Sequence, residues 1–152
     1  MNIALIGATG RAGSEILKEL VRRGHHVTAI VRNPEKVPAG ANVTAKKGDV
    51  FDKAGLTELL KGHDAVVSAV HFTASDPQIL IDAVKAAGVT RYLVVGGAGS
   101  LEVAPGVALV TTPGFPAEYK AEALKGGDFL ALLRQEKALD WTFLSPSALF
   151  FD

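Results

Sequence analysis

Gly7-Ala8-Thr9-Gly10-Arg11-Ala12-Gly13 spells G-x-x-G-x-x-G between a short apolar run, Asn2 to Ile6, and a stretch whose apolar residues recur at helical spacing. Glycine at these places removes a side chain that would collide: at the tight turn out of a strand, where backbone approaches a pyrophosphate, and where a helix lies close on a sheet. The helix start that follows offers backbone N–H groups and the positive end of a dipole, both of which attract phosphate. Gly7, Thr9, Gly10, Arg11, Ala12 and Gly13 are therefore candidates for holding a dinucleotide. A glycine triplet alone is a weak signal, and a turn kept for packing is the alternative; the strand, turn and helix setting is what gives it weight.

A second candidate lies at the end of the next strand, Val27 to Val31. An acid about twenty residues past the glycines would bind ribose hydroxyls and select NAD(H), whereas a basic residue there accommodates a 2′-phosphate. Arg32 occupies that place, and its planar donor fork suits a phosphate, with Arg11 as a second contact. NADP(H) is expected over NAD(H). For both arginines the alternative is a solvated surface side chain.

The elements that position these residues follow from pattern. Arg11 to Arg23 carries Ile16, Leu17, Leu20 and Val21 on one stripe and closes at Gly24. Val43 to Lys47 reads as a lysine-bearing edge strand, Asp52 caps a short helix closed by Gly62, and Ala65 to Val70 is another buried strand. Ser75 with Gln78 has capping-box spacing ahead of a helix ending at Gly88, and Tyr92 to Val95 is strand five. A long glycine- and proline-rich connection, Gly96 to Phe115, precedes two helical stretches, Pro116 to Lys125 and Asp128 to Leu139, expected to break at Gly126-Gly127. Trp141 to Leu144 is strand six. Strands alternating with helices predict one α/β domain over residues 1–152, a doubly wound parallel sheet in the order 3-2-1-4-5-6.

That topology places further residues on the carboxyl edge of the sheet: Asp49 and Val50 after strand three, Ser68, Ala69 and Val70 ending strand four, and Gly96 after strand five. All join the cofactor candidates. Asp49 could equally cap a turn, and Ser68 could be a small buried strand residue.

Composition narrows the function classes. The 152 residues are 48% hydrophobic and 21% charged, with 16 basic and 16 acidic side chains, so a packed domain is expected and no net field draws the chain to nucleic acid or an anionic membrane. The absence of cysteine excludes disulfides and thiolate chemistry. The start, MNIALIG, lacks the basic and long apolar regions of a signal peptide, and a cytoplasmic location is expected. His25, His26 and His63 read as exposed turn residues without converging metal ligands. No P-loop spacing is present, which argues against nucleoside triphosphate hydrolysis.

Ala4 to Gly13, Val31-Arg32-Asn33-Pro34, Gly48-Asp49-Val50 and Val95 to Ser100 together resemble the atypical short-chain dehydrogenases. More narrowly, the chain is similar to the NAD(P)H-binding proteins grouped as NADH-flavin reductases or as the NAD-dependent epimerase/dehydratase family, relatives of biliverdin reductase B and of nitrogen-metabolite repressor-like proteins. The resemblance covers essentially the whole chain and implies a Rossmann fold. Members run longer, adding elements that close the substrate side. Leu149, Phe150 and Phe151 have no obvious cover in the sequence; they fold back onto the sheet, meet another chain, or are covered by a continuation past Asp152, which is the expectation.

In the wider superfamily a Y-x-x-x-K pair exchanges a proton with carbonyl or alcohol. Here Tyr119 is followed four residues on by Ala123, with Lys120 beside it, and Tyr92 by Gly96. The departure counts against alcohol dehydrogenase, epimerase and dehydratase chemistry. What survives is direct hydride transfer from NADPH to a small electron acceptor such as a flavin or quinone, the protein supplying binding and orientation. Ser100, Tyr119 and His71 are the candidates for the acceptor side. The rival expectation is a dinucleotide sensor that turns nothing over; a monomer or homodimer suits either.

Overall fold

A computed structural model describes residues 1–96, 99 and 102–146. Six parallel strands form one sheet in the order β3-β2-β1-β4-β5-β8: β1 (Asn2–Ile6), β2 (His26–Val31), β3 (Val43–Lys47), β4 (Ala65–Ser68), β5 (Arg91–Val95) and β8 (Asp140–Leu144). The order matches expectation, the sixth sheet strand being eighth along the chain because a small hairpin, β6 (Glu102–Ala104) and β7 (Val107–Ala108), intervenes.

Among the described residues, four helices cover the sheet. Helix α1 (Arg11–Arg22) packs Leu17 with Ile3, Leu5, Val27 and Ala29 on one face. On the other, α2 (Lys53–Leu60), α3 (Pro77–Ala86) and α4 (Ala117–Gln135) bury Leu56, Leu60, Leu80, Val84, Phe129 and Leu133 against Ala4, Ile6, Ile30 and Val66. Each of the larger of these side chains, fully buried, contributes about 1.5–3 kcal/mol of transfer free energy, so the alternation within β1, Ile3 and Leu5 to one side and Ala4 and Ile6 to the other, fastens both layers to the central strand. In β5 and β8 burial alternates instead: Tyr92 and Val94 face the three-helix layer fully buried, whereas Leu144 stands exposed.

Three local expectations change. Helix α4 is continuous through Gly126-Gly127. A Cβ at Gly126 would sit 2.7 Å from Cε2 of Phe72, so glycine is there to let the helix approach that ring, and packing outweighs the low helix propensity. The N-cap of α3 is Asp76, whose carboxylate accepts from the backbone N–H groups of Gln78 and Ile79, while Ser75 donates to the carbonyl of His71. His25, His26 and His63 are half-buried rather than exposed: His63 reaches the Leu60 carbonyl and Thr28 Oγ1, each at 2.9 Å, and His26 reaches Thr44 Oγ1. Asp52 caps α2 as expected, and β3 is the edge strand. No helix among the described residues is long and apolar enough to cross a membrane.

Candidate functional site

The turn between β1 and α1 is tight for steric reasons. Gly7 adopts φ +86°, a left-handed conformation, and a Cβ on it would lie 2.5 Å from the carbonyl oxygen of Ala69 at the end of β4. At Gly13 a Cβ would fall 1.9 Å from the Gly7 carbonyl oxygen, so α1 can start this close to the strand only with glycine there. Gly10 differs: its Cβ would meet nothing nearer than 3.5 Å. Its lack of a side chain opens space rather than relieving a clash. Helix α1 has no side-chain cap and no acid in its first turn, so its positive end is left for an external anion.

A cleft of about 930 Å³ runs along the carboxyl ends of all six strands. Gly48 and Val50 line it after β3, Val31 and Arg32 at β2, Gly7 at β1, Ala69 and Val70 after β4, Val95 and Gly96 at β5, and Pro146 after β8. A volume of that size lies at the upper end for small-molecule sites. Thr9, Gly10, Arg11 and Ala12 form its wall at the glycine turn. Arg32 and Lys36, both exposed, make no side-chain hydrogen bond or ion pair to any described residue. Beyond β4 the character changes: Phe72, Leu109, Phe115, Pro116 and Tyr119 present apolar and aromatic surface.

The far wall is held by Glu122, one turn along α4 from Tyr119. Its carboxylate accepts from the backbone N–H groups of Phe72 and Thr73 and from Thr73 Oγ1, and lies 3.6 Å from Nδ1 of the exposed His71. It thus caps the short 3-10 turn Phe72–Ala74 from a different element. Stacking of Phe72 on Phe143 and its edge-on packing against Phe129 complete that wall.

Of the residues singled out from sequence, Gly7, Thr9, Gly10, Arg11, Ala12, Arg32, Val50, Ala69, Val70 and Gly96 share the cleft, together with His71 and Tyr119. Gly13 is buried beneath the turn. Asp49 lies in an adjoining depression, where its carboxylate accepts from the Phe51 N–H, a turn cap. Ser68 is buried, its hydroxyl 2.9 Å from that of Tyr92; burial pushes the Tyr92 phenol above its ordinary pKa, partly opposed by this bond. Ser100 lies outside the described residues. Lys36, Phe72, Phe115 and Glu122 were not singled out. The spacing of Lys36 from Arg32 on one strand-end loop, and of Glu122 at i+3 from Tyr119, are the signals that point to two of them.

A family model of NAD(P)H-binding proteins matches residues 7–152. The chain belongs to this NAD(P)H-binding family. A nicotinamide dinucleotide is the ligand such a domain takes, and the glycine cradle, the uncapped helix start and the facing cations fit one. This family member is 47% identical over 161 residues to the uncharacterized protein YwnB of Bacillus subtilis, an alignment covering 100% of this chain and 74% of that one. Its fold is similar to that of a candidate epimerase from Bacteroides thetaiotaomicron, with a TM-score of 0.90, 42% identity and coverage of 97% and 71% of the two chains. It is likewise similar to a candidate NADH-flavin reductase from Streptococcus pneumoniae, with a TM-score of 0.78, 38% identity and coverage of 97% and 72%.

Proposed function

We propose that this chain is an NADPH-dependent reductase that passes hydride directly to a flavin, quinone or similar small acceptor. The observation that carries the reading is one uninterrupted cleft leading from two cations without an ion-pair partner among the described residues, past the glycine turn, to an aromatic wall. Gly10 and the amides at the start of α1 receive the pyrophosphate, and Arg32 with Lys36 holds the 2′-phosphate through charge-assisted hydrogen bonds. Ala69, Val70 and Gly96 give the nicotinamide a flat bed at the ends of β4 and β5. The bound cofactor supplies the hydride.

The chain's own part is to hold and orient both partners. His71, exposed beside the cleft and set against Glu122, is placed to return a proton from solvent to the reduced acceptor. Tyr119 lines the same end, and without a lysine four residues on it serves as a wall for the acceptor ring rather than as an acid.

Paired titrations of NADPH and NADH, followed by NADPH oxidation with menadione and flavins, test the reading. Tenfold or greater preference for NADPH, about 1.4 kcal/mol, with acceptor-dependent oxidation above the free-cofactor background supports it. Equal binding of both cofactors overturns the assignment of Arg32 and Lys36. Tight binding without turnover would instead favour a sensor.

A further inference from the structure

Charge is segregated along the cleft. The cationic side chains, Arg11, Arg32 and Lys36, all stand at the β1 and β2 end. At the far end, among the described lining residues, Glu122 is the one side chain with a fixed charge, and it is negative. Around it are Phe72, Leu109, Phe115 and Tyr119. Lys120 and Lys125 share α4 with Glu122 but do not line the cleft.

We propose that the acceptor taken at this end is an uncharged planar ring, and that Glu122 discriminates against acceptors carrying phosphate. The inference rests on the hydride-transfer reading and adds the acceptor's chemical class. An aromatic wall offers stacking and apolar burial to any flat ring. A phosphate brought to the same end finds no lysine or arginine among the described lining residues, only His71, which already stands 3.6 Å from Glu122, and it meets a like charge in a partly desolvated setting, where repulsion is stronger than in water. Glu122 is held in place by three donors from Phe72 and Thr73, so its carboxylate cannot swing away without leaving backbone N–H groups unpaired. The phosphorylated cofactor is steered to one end and the neutral acceptor to the other, which also prevents the two from exchanging places.

Riboflavin and its 5′-phosphate, FMN, share one ring and differ by the phosphate, so their ratio isolates the charge. The first readout is quenching of flavin fluorescence on titration into the full chain saturated with NADP+, at low salt and at 0.5 M salt. Riboflavin should bind roughly fivefold or more tightly than FMN at low salt, with the ratio falling toward one at high salt and in Glu122→Gln. FMN binding as tightly as riboflavin at low salt would overturn the proposal, as would binding of neither flavin. The salt arm uses the unaltered chain and decides the matter even where Glu122→Gln fails to fold. The second readout is NADPH oxidation with menadione, riboflavin and FMN, where menadione and riboflavin should exceed FMN. Selective riboflavin binding without oxidation of NADPH by any of the three would sustain the neutral site while sinking hydride transfer.

Discussion

The carboxylate of Glu122 and residue Thr73 are joined twice across 49 residues of sequence: Oε2 accepts from the Thr73 backbone N–H at 2.9 Å and from Thr73 Oγ1 at 2.8 Å. A long helix and the turn after a central strand are thereby fastened into one wall of the cleft. Glu122→Ala should cost about 2 kcal/mol, since it strands two backbone donors at a site about a third exposed. Urea denaturation checks this, and a loss below about 0.5 kcal/mol would show that water replaces the carboxylate freely.

Neighbouring glycines in α4 should respond with opposite sign. Gly126→Ala pushes a methyl group into Phe72 and should destabilise by about 1–3 kcal/mol, whereas Gly127, with nothing near its Cβ position, should gain up to about 1 kcal/mol as alanine. Melting temperatures of the two variants decide it; a gain for both would mean that Phe72 moves aside.

In the glycine turn, folding and binding should separate. Gly10→Ala meets only ordinary contacts and should fold with near-normal stability, yet lose roughly tenfold or more in NADPH affinity because its methyl group projects into the path of the pyrophosphate. Gly13→Ala, with a backbone oxygen 1.9 Å from the new carbon, should fail to fold stably. Circular dichroism and cofactor titration on both variants test the distinction. Unchanged affinity in Gly10→Ala would remove the turn from the binding site.

Arg32→Ala should weaken NADPH binding about tenfold and leave NADH nearly unaffected, because only the 2′-phosphate distinguishes them. An equal loss for both would assign Arg32 to a shared part of the cofactor. Lys36→Ala should act in the same direction, and the double variant should approach equal affinity for the two.

Ser68 and Tyr92 form a buried pair whose worth depends on keeping both. Ser68→Ala alone leaves the Tyr92 hydroxyl without its partner and should cost about 1–2 kcal/mol, while the same change in a Tyr92→Phe background should cost distinctly less. A double-mutant cycle by chemical denaturation gives the coupling. Cofactor affinity should hardly change, since the Ser68 hydroxyl faces the core.

Local signals determined most of the framework from the sequence alone. Short apolar runs bounded by turn residues marked most of the strands, 3.6-residue stripes marked the helices, and their alternation led to the sheet order β3-β2-β1-β4-β5-β8 because crossover chirality leaves few alternatives. The glycine spacing and Arg32 were legible for the same reason: a turn and a strand end are local events. What only the tertiary structure decided are contacts between residues distant along the chain. Gly126-Gly127 reads as a helix break until Phe72 is seen against it, and Ser68 reads equally as a cleft residue or a small buried strand residue until Tyr92 closes over it. Glu122 looks like any surface glutamate of a helix until the turn at Phe72 and Thr73 brings three donors to it. Propensity and spacing carry no information about which side chain meets which across a folded sheet, and the apolar end of the cleft is built almost entirely from such meetings.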